Sequence, residues 1–82
     1  MNQKQLLERV TINPRIMVGK PVIKGTRIPV ELLIGMVAQG IPEEEILKEY
    51  PRLEREDIRA ALTYAAMVVA DEDIFPLTVS AV

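Results

Sequence analysis

The sequence predicts a mainly α domain, with three short helices following a β-rich N-terminal segment. Three observations carry this reading. Apolar residues recur at helical spacing through residues 29–70. Prolines and a glycine cut that stretch into three parts. Residues 9–28 instead hold β-branched triplets between turn formers, the pattern of strands. An acidic break opens an apolar C-terminal tail, residues 71–82, and the whole chain, 1–82, is short enough to be one domain.

In the N-terminal segment, Val10-Thr11-Ile12 is a β-branched run stopped by Asn13-Pro14. Val22-Ile23 and Thr26-Arg27-Ile28 flank Lys24-Gly25, the spacing of a tight β-hairpin with Gly25 at positive φ. The first helix starts at Pro29, whose fixed φ suits a first helical position. Val30, Leu33, Ile34 and Val37 form its apolar face; Leu32, Met36 and Ala38 lie off that face, so burial on more than one side is expected. Gly40 closes it. The second helix opens at Pro42 and carries Glu43, Glu44 and Glu45 in its first turn, where the helix dipole favours negative charge. Ile46, Leu47 and Tyr50 are its stripe, and Pro51 ends it. The third helix spans about Arg55 to Ala70, with Ile58, Ala61, Leu62, Ala65 and Val69 as its stripe and Arg55, Arg59 and Thr63 on the other side. Its second half is apolar around the circumference, which predicts cover by a partner subunit or by the tail.

Composition narrows the function. Without cysteine or histidine there is no disulfide, no expected metal site and neither of the most versatile catalytic side chains, so an enzyme is not expected and no cofactor is implied. No apolar run reaches the roughly 18–20 residues of a membrane span. No basic, apolar leader opens the sequence, and a cytoplasmic location is expected. So small a core is marginal alone, which favours a homodimer. The net charge of −2 is unevenly spread: residues 1–30 hold six cations against one acid, +5, and residues 31–82 hold four against eleven, −7. Such asymmetry can mark a basic face on an acidic protein.

Three helices with very short connections, the last two joined by Tyr50-Pro51-Arg52-Leu53, are the arrangement of a helix-turn-helix. There the second helix of the pair enters the DNA major groove. The candidate DNA contacts are Arg52, Arg55, Arg59 and Thr63, with Lys20 and Lys24 of the hairpin, and as a less favoured reading Arg27, holding phosphates as a wing does. Arginine's planar fork suits guanine edges and phosphate oxygens alike. Tyr64, Met67, Val68, Ile74, Phe75 and Leu77 are the candidate partner or dimer interface. A competing reading leaves the arginines paired with Glu54, Glu56 and Asp57 on a solvated face, and makes the chain a protein–protein adaptor that does not bind DNA.

From Gly19-Lys20-Pro21-Val22-Ile23-Lys24-Gly25-Thr26-Arg27-Ile28-Pro29-Val30, through Gly40-Ile41-Pro42 and Tyr50-Pro51-Arg52-Leu53 to Ala60-Ala61-Leu62-Thr63-Tyr64-Ala65, the chain resembles the small prokaryotic proteins grouped as domain of unknown function 433. The resemblance covers roughly residues 9–70. It implies a homeodomain-like or winged helix-turn-helix fold and an antitoxin, often encoded beside a PIN-like ribonuclease toxin. The chain departs from the family's frequent Ser or Thr caps on the second and third helices, where it has Pro42 and Glu54; such a cap contributes about 1 kcal/mol. Within this block Thr26 is expected to bond the turn backbone, and Arg27 to pair with an acid such as Glu31.

Overall fold

The computed structural model describes residues 1–71. In chain order it contains α1 (Gln3–Leu7), β1 (Val10–Ile12), a 3₁₀ turn (Met17–Gly19), β2 (Pro21–Ile23), α2 (Val30–Ala38), α3 (Glu43–Glu49) and α4 (Arg55–Asp71). The architecture is mainly helical, with one two-stranded antiparallel sheet.

Helix α1 lies ahead of the β-rich segment, where no helix was expected. Asn2 caps it: the side chain accepts from the Gln5 backbone N–H at 2.8 Å, and the Gln5 side chain returns a bond to the Asn2 N–H at 3.0 Å. This reciprocal box satisfies two end donors of a five-residue helix. Leu6 is its buried residue, and α1 packs on α4.

The sheet differs from the expected pairing. β2 pairs with β1, Thr11 opposite Val22, and not with Thr26-Arg27-Ile28. The tight turn is nevertheless present: Thr26 N–H donates to Ile23 O at 3.0 Å. Gly25 has φ +81 while Lys24 does not enter the positive region, the pattern of a type II turn. A type II turn does not match strand twist as the primed turns do, and the returning arm makes a single bridge, Val22 to Pro29. β2 therefore bonds both ways, Ile23 N–H to Ile28 O at 3.0 Å and Lys24 N–H to Arg9 O at 2.7 Å. Val22 and Ile23 are buried between these neighbours.

Pro29 and Pro42 stand one position earlier than expected, as extended N-cap residues with ψ 141 and 145 and no side-chain cap bond. α2 ends in a Schellman motif: Ile41 N–H bonds Met36 O, Gly40 N–H bonds Val37 O, and Gly40 has φ +80. The C-cap is Gln39, with Gly40 just beyond it.

The core joins Ile23, Val30, Leu33, Met36, Ile46, Leu53, Ile58 and Ala61. On α2 the buried stripe is Val30, Leu33 and Met36, while Val37 is exposed. On α4 the buried residues are Asp57, Ile58, Ala60 and Ala61; Leu62 and Val69, expected on the inner stripe, face outward. The inner face is rotated from the expected stripe towards Ala60, and it includes Asp57, which has a partner distant in sequence.

Candidate functional site

That partner is Arg9, in the turn just before β1. Its Nη1 donates to Asp57 Oδ1 at 3.1 Å, and its Nη2 lies 3.8 Å from Glu54 Oε2. The other Asp57 oxygen accepts the Glu54 backbone N–H at 2.8 Å. Asp57 thus caps α4 and ties it to the N-terminal segment. The hydrogen bond to Asp57 holds the Arg9 guanidinium above its ordinary pKa, against the opposing effect of burial. Two of the acids expected to neutralise the α4 arginines are therefore engaged by Arg9 instead.

The arginines of α4 remain outward. Arg55, Arg59, Leu62, Ala66 and Val69 are all exposed and follow one another at steps of four and three, so they form one stripe along the helix. The stripe is basic in its first half and apolar in its second, where Val69 is 64% exposed. Arg55 Nε is 3.9 Å from Glu43 Oε1 of α3, an exposed pair of little energetic weight. Thr63 is half-buried. Lys20 is committed to Glu31, Nζ to Oε1 2.7 Å, again between exposed side chains. Glu31 therefore pairs with Lys20 and not with Arg27. Pro29 is extended, so Arg27 lies outside α2 and the i, i+4 spacing to Glu31 does not operate. Lys24 is exposed on its turn.

Arg52, expected beside Arg55 and Arg59, lines a separate cleft of about 400 Å³ with Thr11, Ile16, Gly25, Thr26 and Arg27. Thr26 shapes the wall: its Oγ1 donates to Ile23 O at 2.7 Å and accepts from Ile28 N–H at 3.0 Å. Sequence reading did not connect Arg27 with Arg52. The available signal was the run from Arg9 to Val30, which contains no acid.

Of the expected partner surface, Tyr64 is half-buried and packs against the core. It also separates two apolar grooves, one lined by Leu7, Val10, Ile12 and Met67 among others, the other by Val30, Ile34, Val68 and Val69 among others. Leu62 and Val69, not singled out from sequence as interface residues, are the more exposed apolar positions of α4. Ile74, Phe75 and Leu77 lie outside the described residues. Among the described residues there is no cluster of three or more metal-ligating side chains, and no helix is long and apolar enough to cross a membrane.

The chain is of a mainly helical class, with a Gly-Lys-Pro to Gly-Thr-Arg turn block between its short first helix and α2. Residues 10–65 match the family described as "Protein of unknown function (DUF433)", and the chain belongs to that family. An uncharacterized protein, y4eO, of Sinorhizobium fredii (strain NBRC 101917 / NGR234) is 45% identical over 58 residues, 71% of this chain and 26% of that protein. An uncharacterized protein of Archaeoglobus fulgidus is 64% identical over 25 residues, 30% of this chain and 69% of that protein. The crystal structure of a DUF433 member from Anabaena variabilis ATCC 29413 superposes with a TM-score of 0.72 at 36% identity, covering 82% of this chain and 66% of that one. The chain thus spans about a quarter of the length of the Sinorhizobium protein.

Proposed function

We propose that this chain is the DNA-binding antitoxin of a prokaryotic toxin–antitoxin pair, acting as a homodimer that neutralises a PIN-like ribonuclease. The observation that carries the reading is the exposed stripe of α4. Its basic half, Arg55 and Arg59, lies at the helix N-terminal end, where a recognition helix touches base edges. Its apolar half, Leu62, Ala66 and Val69, offers the surface a second chain would cover. α3, a five-residue connection over 50–54 and α4 form the helix-turn-helix pair of this proposal, with the β1–β2 sheet as its wing. Two copies would present α4 to half-sites about one helical turn apart.

Binding of duplex DNA from the chain's own promoter, titrated against salt, tests the repressor half. Affinity should fall steeply with salt, and reversal of Arg55 and Arg59 to Glu should abolish it. Promoter DNA bound no better by the native chain than by this variant rejects DNA binding. For the antitoxin half, co-purification from the native host should recover a nuclease encoded next to the gene; recovery of the homodimer alone rejects it.

A second reading, an adaptor without DNA binding, is favoured by α3. It exposes Glu43, Glu44, Glu45 and Glu49 beside the α4 N-terminus. Retained partner binding in the Arg55 and Arg59 reversal variant, with no DNA binding by either protein, selects that reading.

A further inference from the structure

We infer that the cleft between Arg27 and Arg52 is a phosphate-binding site, and that the phosphate it takes is that of a nucleic-acid backbone. The second clause rests on the DNA-binding reading above; the first does not.

The cleft is built from four parts of the chain, one of them Ile16 of the connection after β1. β1 contributes Thr11, the turn after β2 contributes Gly25 to Arg27, and the connection between α3 and α4 contributes Arg52. Its charged lining is wholly cationic, since both charged residues are arginines. This is unexpected in a chain with twelve acids and ten cations, where the average cation has an acid to meet. Among the described residues, no carboxylate lies within 4.0 Å of either guanidinium, although Arg9, Lys20 and Arg55 each meet one. Two like charges on one cleft repel each other, and an anion between them removes that repulsion.

The lining also selects what can enter. The Thr26 hydroxyl is occupied by the Ile23 carbonyl and the Ile28 amide, so it shapes the wall without competing for the ligand. Gly25 presents no side chain, and an added Cβ there would meet nothing within 4 Å, so this side of the cleft is open. The guanidinium forks are rigid, planar donors matched to the oxygens of a phosphate. Arg15 and Lys24, both exposed, each adjoin a lining residue in sequence and extend the positive field. The site lies on the turn beside the sheet, where a wing meets the strand that its recognition helix reads.

Two titrations of the whole chain, followed by amide and arginine Nε–H NMR signals, test both clauses. One uses inorganic phosphate against chloride at equal ionic strength. The other uses a short DNA duplex of arbitrary sequence. The expected result is that phosphate and duplex both shift Gly25, Thr26, Arg27 and Arg52, and that chloride does not. The double variant Arg27→Ala, Arg52→Ala, its fold checked by circular dichroism, should lose the phosphate shifts. It should bind duplex about tenfold more weakly, as removal of charge-assisted hydrogen bonds predicts. Its log–log salt slope should be shallower by about 0.9, one phosphate. An Arg→Lys pair should restore the slope and less of the affinity, since charge returns without the fork. Phosphate shifts at the cleft with duplex leaving it unmoved would keep the site, assign it to a small phosphate and reject its backbone role. Duplex shifts confined to α4, with no response to phosphate, would overturn the cleft and leave DNA binding standing. No response to either ligand overturns both.

Discussion

Replacing Arg9 by Ala tests the interaction that holds α4 in place. Its guanidinium sits 3.1 Å from Asp57, whose side chain is 9% exposed, and is itself 26% exposed. Exposed ion pairs contribute roughly 0.2–1 kcal/mol, whereas deleting one member of a fully buried pair costs about 3–5 kcal/mol. This pair has one buried and one partly solvated member, so the expected loss is about 2–3 kcal/mol. A domain of this length has a total stability of roughly 4–12 kcal/mol, and the melting temperature should fall by about 4–8 °C for each kcal/mol. Asp57→Ala should cost about 1 kcal/mol more, because the Glu54 N–H also loses its acceptor. The double variant should then be little worse than Asp57→Ala alone.

Urea unfolding by far-UV circular dichroism, arranged as a double-mutant cycle, measures the coupling directly. A coupling of about 2 kcal/mol is expected. An Arg9→Ala loss below roughly 0.5 kcal/mol, in the range of an exposed pair, would refute the reasoning and leave Asp57 as a local helix cap only. The pH dependence has a definite sign. A cation whose pKa is raised on folding contributes fully below its unfolded pKa and loses that contribution only as pH rises through the folded one. An arginine stays protonated well above the mildly alkaline range in both states, so the difference between native and Arg9→Ala proteins should not diminish as pH rises from neutral to mildly alkaline.

Thr26→Val keeps the shape and removes the hydroxyl that serves Ile23 O and Ile28 N–H, and thermal melting should show a loss of about 1–3 kcal/mol. Gly40→Ala meets no steric obstacle within 4 Å, so its cost is that of a side chain at φ +80, about 1–2 kcal/mol in urea unfolding. Val18 holds φ 55 while 95% exposed, and Val18→Asn should raise stability by up to about 1 kcal/mol, since Asn tolerates this region and no packing is lost; a lower melting temperature would contradict this.

The helices of residues 29–70 were legible because their signals are local. Pro29, Gly40, Pro42 and Pro51 each restrict their own backbone or that of an immediate neighbour, and the Schellman closure at Gly40 needs only the six residues from Met36 to Ile41. The Gly25 turn and the Thr26 bond were readable for the same reason. What failed depended on distance. The choice of β1 over the Thr26-Arg27-Ile28 arm as partner of β2 is decided across the Asn13–Lys20 connection, which no local pattern reports. Arg9 and Asp57 are 48 positions apart, and nothing local to α4 reports that Asp57 faces inward while Leu62 and Val69 face outward. α1 was missed because five residues are too few for a periodicity to emerge. At the candidate site the exposed arginines of α4 could be named from sequence, but the partnership of Arg27 with Arg52 could not.

The same distances explain why net charge is a poor guide to what this surface attracts. Acids concentrate on α3 and at the start of α4. There they meet the helix dipole favourably, and Glu54 and Asp57 are further engaged by Arg9. The N-terminal turns carry the opposite balance: from Arg9 to Val30 there are five cations and no acid, of which only Arg9 and Lys20 find carboxylates among the described residues. Arg15, Lys24 and Arg27 are left over, and the connection into α4 adds Arg52 on the same cleft as Arg27. A chain with a net charge of −2 can therefore present one cationic pole and one acidic helix. An approaching polyanion would be turned by that separation so that the pole leads and α3 trails. Along the chain, the arginines of the α4 stripe are nearer the connection that carries Arg52 than its apolar half is. Orientation by the pole and contact by α4 are thus separable. Changes at Arg27 and Arg52 should alter affinity on every sequence alike, and changes at Arg55 and Arg59 should alter preference among sequences.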